Sequence, residues 1–186
     1  MGPSVESTSS EYARFLAYGH QLIEIHIGLR DMLADLREGV VPEAELGTHC
    51  LAFCAAVTRH HTGEDTEVFP LLAGRHPELR TFLAELERDH QVIAGLLTAL
   101  RDAAGRLGVA RRDAAGQFGA ARPDAVGRLG VEGVWRGPDG PDAEELRQEL
   151  GGLAAVLETH FIGEEKRLVG VLNAIDPSEG LTGLTA

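Results

Sequence analysis

His60-His61-Thr62-Gly63-Glu64-Asp65 and His160-Phe161-Ile162-Gly163-Glu164-Glu165 are the two stretches that decide how this chain folds. In each, a histidine precedes a glutamate by four residues, so on a helix both project from one face, one turn apart. At about 100° per residue, Phe53 and Val57 share the face of His60 and Glu64, and Leu153 and Leu157 share that of His160 and Glu164. Polar side chains on an apolar stripe cost free energy unless something satisfies them. A metal ion is a good partner for both groups at once.

Working outward, two further helices each offer one matching histidine. His26 is in phase with Leu22, Ile23, Leu29 and Leu33, and His90 with Leu83, Leu86, Ile93 and Leu97. The first helix is predicted from about Glu11 to Arg37, with Phe15 on the stripe and Gly39 as its stop. Pro42 opens the second, which runs through Leu46, Phe53 and Val57 to about Phe69, where Pro70 ends its regular part or kinks it. The third begins near Pro77 and carries Leu79, Phe82, Leu83, Leu86, Ile93, Leu97 and Leu100. The last opens after Pro141 and Asp142, carries Leu146, Leu150, Leu153, Leu157, Phe161 and Leu168, and fades near Asn173. Four amphipathic helices without strands imply an all-α fold, an antiparallel up-and-down four-helix bundle. Its domain spans 11–174, with 1–10 and 175–186 as flexible termini.

Between the third and fourth helices the pattern changes. Arg-Asp-Ala-Ala-Gly-Arg-Leu-Gly at 101–108 is echoed at 112–119, and more weakly from Arg122 to Gly130. Asp102, Asp113 and Asp124 keep an eleven-residue step, close to three helical turns. Two glycines per copy, each costing about 1 kcal/mol relative to alanine on a helix, argue for a long flexible insertion at 103–140. Its alternative use is a docking arm for a protein partner, through Leu107, Phe118, Leu129 and Trp135.

Composition narrows the classes. The apolar share is 44%, enough for a core, and the formal net charge is −12. Such an acidic surface repels nucleic acid and anionic membrane, so neither is expected as a partner. Met1–Ser10 does not read as a signal peptide, and no apolar run reaches the length of a membrane span. Cys50 and Cys54 are too few for a disulfide framework and read as core residues one turn apart. The expected location is the cytoplasm.

The inward set of His26, His60, Glu64, His90, His160 and Glu164 suits iron, zinc or manganese. Six donors exceed what one tetrahedral zinc accepts, whereas two irons sharing carboxylate bridges use them all. Of the remaining histidines, His20 is off phase. His49 lies about 16 Å along the helix from His60, and His76 sits in a turn. His61 points to the edge of its stripe. Glu87 and Asp89 flank His90, where either can orient a liganding imidazole or belong to a solvated face.

A histidine on the first helix, His-x-x-x-Glu on the second, a histidine on the third and His-x-x-x-Glu on the fourth resembles the hemerythrin HHE family. The flanking Glu64-Asp65-Thr66-Glu67-Val68-Phe69-Pro70 and Glu164-Glu165-Lys166-Arg167-Leu168 agree. The resemblance covers about Tyr12 to Leu100 and Glu144 to Leu172. It implies a non-haem di-iron site, two irons per chain, with Glu64 and Glu164 bridging and His26, His60, His90 and His160 as terminal ligands. Family members bind dioxygen, sense oxygen, nitric oxide or iron, or handle peroxide. Oxygen-carrying members have a second histidine where this chain has Ala94, and an aspartate where it has Glu164. The site therefore either has one ligand fewer or recruits His61, as some members do at that position.

These features favour a di-iron protein that binds or reacts with a small oxidant: dioxygen, nitric oxide or peroxide. Three alternatives stand beside it. A di-iron oxygenase or peroxide-decomposing enzyme would use an open position opposite Ala94. A mononuclear zinc or nickel bundle of the DinB-like sort would need only about three histidines. An iron-responsive interaction module would use the 103–140 insertion as its effector.

Overall fold

A computed structural model describes residues 17–119, 141–176, 181, 183 and 184, and all regular structure among them is helical. The helices are α1 (Tyr18–Arg37), α2 (Leu46–Gly63), α3 (Phe69–Arg75), α4 (Arg80–Gly119) and α5 (Pro141–Leu172). A five-residue π turn, Glu64–Val68, joins α2 to α3, so the two act as one rod and the fold has four. Short 3-10 turns at Glu43–Glu45 and Pro77–Leu79 lead into α2 and α4. Gly39, after α1, has φ 74°, a conformation that glycine adopts without the clash a side chain would bring.

α1 packs on α5 and α2, and α4 packs on the same two, so the four rods close a ring. Inside it the apolar side chains form two cores. One holds Leu29, Leu33, Phe53, Val57, Ile93, Leu97, Leu150, Leu157 and Phe161. The other holds Tyr18, Leu22, Val68, Phe69, Leu72, Leu83, Leu86, Leu168 and Leu172. Each fully buried leucine or phenylalanine stabilises the fold by about 1.5–3 kcal/mol relative to an exposed one. Every rod changes from one core to the other at the expected site residues: at His26 on α1, His60–Glu64 on α2, His90 on α4 and His160–Glu164 on α5. The polar groups thus form a layer sandwiched between two apolar cores. No described helix is long and apolar enough to cross a membrane.

Several expectations need correction. The third helix does not stop where the repeat begins. α4 continues to Gly119, and Ala103, Ala104 and Leu107 are buried in the first core. The start of the expected 103–140 insertion is therefore helix, and in part core; burial of small and apolar residues outweighs the glycine penalty there. Residues 120–140, with the third copy, Leu129 and Trp135, lie outside the described residues, as do 1–16 with the expected first turns of the first helix. Pro70 does not end the second rod. Regular α structure stops earlier, at Gly63, and the Phe69 N–H bonds back five residues to the Glu64 carbonyl. Pro70, lacking an N–H, falls where that bonding pattern is changing anyway. Ile23 is only half-buried, and Ile25 packs on both cores in its place. Of the segment 175–186, expected as a flexible terminus, Ile175 and Leu184 are buried in the second core. The Leu181 N–H donates to the Tyr18 hydroxyl at 2.9 Å.

Candidate metal centre

The layer brings all seven expected residues together. His26, His60, His61, Glu64, His90, His160 and Glu164 are each at most 5% exposed, and they are the buried polar and charged residues of the described chain. α2 and α5 each lie between α1 and α4, so adjacent positions on one helix, about 100° apart, reach different neighbours. His60 points at His26 of α1, with Nε2 atoms 3.0 Å apart. His61 instead stacks on His90 of α4, ring centres 4.0 Å apart and planes 6° from parallel. The edge position that sequence phase gave His61 is a buried one, because the stripe of a helix between two neighbours is wide.

The donors fall into two groups. One is His26, His60, Glu64 and Glu164; the other is His61, His90 and His160; within each, one ligand atom per residue lies within 4.8 Å of the others. The carboxylates stand between the groups. Glu164 turns Oε2 to His26 Nε2 at 3.3 Å and Oε1 to His160 Nε2 at 3.3 Å. Glu64 Oε2 is 3.6 Å from both His60 Nε2 and His90 Nε2. His90 and His160 meet through their Nε2 atoms at 3.0 Å.

Carboxylates behind two imidazoles fix which nitrogen faces inward. His26 Nδ1 donates to Glu165 Oε1 at 2.9 Å, and His90 Nδ1 to Asp65 Oδ1 at 2.7 Å. A carboxylate acceptor requires the proton on Nδ1, which leaves an Nε2 lone pair aimed into the layer. Asp65 and Glu165 were not singled out from the sequence. The signal was an acidic residue directly after each buried glutamate, and each acid supports the lone histidine of a neighbouring helix. Glu87 is exposed, and Asp89 approaches His160 Nδ1 only to 3.7 Å, so neither orients His90.

Electrostatics favour a cation here. Both oxygens of Glu64 and Glu164 and the His61 Nε2 are buried with no hydrogen-bond partner aligned on them. Burial depresses the His60 imidazole to about 3 and lowers His61 as well, so both stay neutral, the form that ligates a metal. Burial, then the charge of Glu164, holds the Glu64 carboxyl well above its usual range. Burial pushes Glu164 upward too, but the imidazoles of His160, His26 and His90 outweigh it and hold it well below. Without a cation one buried carboxyl keeps its proton; with one, both can ionise. The residues fit a metal: His60 and His61 are held neutral, the carboxylate oxygens of Glu64 and Glu164 have no aligned partner, and His26 and His90 are held from behind by Glu165 and Asp65.

The other histidines stay apart. His20 is exposed, His49 Nδ1 bonds the Glu45 carbonyl at 3.0 Å, and His76 Nδ1 meets Glu78 Oε1 at 3.1 Å. Cys50 and Cys54 are free, buried thiols, and burial pushes Cys50 up to about 12.

Fold and donors together define an all-helical cation-binding protein. The chain belongs to the hemerythrin family: the hemerythrin HHE cation binding domain matches residues 19–122, more than half its length. That span includes His26, His60, His61, Glu64 and His90, and also the first two copies of the repeat. His160 and Glu164 lie beyond it and join the site through the packing of α5. No curated protein and no solved structure matches the chain.

Proposed function

We propose that this protein is cytoplasmic, holds two irons and binds or reacts with a small oxidant: dioxygen, nitric oxide or peroxide. His26 and His60 would hold one metal and His61, His90 and His160 the other, with Glu64 and Glu164 between them. The observation that carries this reading is Glu164, whose two oxygens face different imidazole groups, 3.3 Å on each side. A single metal leaves one group unused, which weighs against a mononuclear bundle. His61 supplies the ligand that Ala94 lacks, and that weighs against a permanently open position there. Bound iron would supply the redox and ligand-binding chemistry. The chain's own part is to keep bulk water out with Phe53, Leu157 and Phe161, and to hold the imidazoles by Asp65 and Glu165. An antiparallel up-and-down course is part of the proposal. It is supported by Gly47 lying by Ala104, Cys54 by Leu97 and Asp65 by His90, with numbers rising along one rod and falling along the other.

Metal analysis and the optical spectrum of iron-loaded, air-exposed protein test this. Two irons per chain are expected, with a clear loss in His60→Ala and His160→Ala and a drop towards one in His61→Ala. One metal per chain in the wild type, or two in all three variants, overturns the assignment.

A further inference from the structure

The site has an approximate internal symmetry, and one position breaks it. α1 with α5 on one side matches α4 with α2 on the other. His26 backed by Glu165 corresponds to His90 backed by Asp65. Phe161 stacks on His26 with ring centres 4.1 Å apart, as His61 stacks on His90 at 4.0 Å. The residue one turn after His26 is Arg30, and the residue one turn after His90 is Ala94.

These two residues close their sides very differently. Arg30 Nη1 donates to Glu165 at 2.7 Å and its Nε to Glu158 at 2.8 Å, with the guanidinium 5.3 Å from the Phe161 ring centre. His26, on that side, is fully buried. On the α4 side Ala94 is itself exposed, and it lines a cavity of about 160 Å³. Its walls include His61, His90 and Leu97, and its rim Thr58, Thr62 and Gln91. At about 30 Å³ per water, this holds a few waters or small molecules and no folded substrate.

Charge restricts the occupant further. Asp65 also lines the cavity, and no lysine or arginine does. Arg101 does not line it but donates to the Thr58 hydroxyl at 2.7 Å. With net charge −12 the surroundings disfavour anions as well.

We propose that this cavity is the portal through which a small neutral molecule enters the donor layer from the three-imidazole side, and that Ala94 sets its aperture. The proposal goes beyond the function above and rests on it only where iron is used. The test compares wild type with Ala94→Arg, which puts an arginine at the position matching Arg30, and Ala94→Phe. Ala52→Phe, on an exposed face of α2, is the control. The first arm needs no metal: dissolved dioxygen under pressure, as a paramagnetic probe in NMR, should speed relaxation of the Thr62, Leu97 and Ala94 methyls and the His61 ring protons. It should do so several-fold more than at Leu29 or Leu150. In both Ala94 variants the excess at Leu97 and His61 should vanish, while in Ala52→Phe it should remain. In the second arm, nitric oxide association with iron-loaded protein should slow at least tenfold in the Ala94 variants, with metal content and melting unchanged. Equal relaxation in wild type and both Ala94 variants, or an unchanged association rate, overturns the proposal. Should the chain take up no iron, the proposed function fails and the dioxygen arm alone decides the portal.

Discussion

His60 and His160 are each followed by a ring, His61 in one case and Phe161 in the other, and this one difference makes the two halves of the site chemically unequal. Both rings stack on the single histidine of a neighbouring helix, but only His61 brings a nitrogen. The acids that follow the two glutamates matter as much. Glu165 accepts from His26 while tied to Arg30, so it positions an imidazole and carries a charge whose partner is already in place. Replacing it by glutamine keeps the size but removes the charge that strengthens the imidazole as a donor. Loss of such support typically weakens metal affinity by about 10–100-fold. Glu165→Gln should therefore bind its metal at least about tenfold more weakly in competition with a chromophoric chelator, whereas Glu87→Gln should match wild type. Equal affinities for all three proteins would remove Glu165 from the site's support.

At the scale of elements, α4 and the α2–α3 rod depart most from a plain bundle helix. α4 runs 40 residues, and its extension past Leu100 contributes Ala103, Ala104 and Leu107 to the core beside Leu46 and Cys50. Leu107→Ala should cost about 2–3 kcal/mol in a denaturant titration, the range for a buried leucine at the edge of a core. A value near zero would mean that the extension does not pack on the bundle. The π turn matters because it carries Glu64 and meets the segment after α5. A Cβ on Gly63 would collide with the backbone of Gly183, and one on Gly183 would sit 2.5 Å from the Gly63 carbonyl oxygen. Both positions need glycine for that close approach. The contact lies next to the buried Glu64 carboxylate, so the segment after α5 braces the rod just where it leaves α-helical geometry.

Taken together, the described residues form two apolar cores held apart by a layer of five imidazoles and two carboxylates. The cores favour the bundle with or without metal, but the layer opposes it when nothing neutralises the carboxylates. Metal binding should therefore register as folding stability. A ligand at a thousand times its Kd adds about 4 kcal/mol. For a chain of this size each kcal/mol moves the melting temperature by about 2–4 °C. Stripping the metal with a chelator should lower the melting temperature by roughly ten degrees, and restoring it should reverse the loss. Calorimetry of loaded and stripped protein checks this; identical melting would mean that the layer is satisfied without a cation.

Helical period and residue type alone determined the four rods, most of their apolar faces and six of the seven buried donors, because a face is a local property that repeats every few residues. The family, too, was legible in the order of the histidines and glutamates. What lay outside local periodicity was decided by packing. His61 became a site residue because α2 lies between two helices, a fact about neighbours rather than about phase. Asp65 and Glu165 gained their roles by reaching across to other helices. The glycine-bearing repeat became helix because burial of Ala103, Ala104 and Leu107 outweighs a propensity that the sequence alone makes unfavourable. Pro70 stayed inside a rod because a π turn, stabilised within the bundle, precedes it. Periodicity reports which way a side chain points; only the assembled bundle decides what it meets.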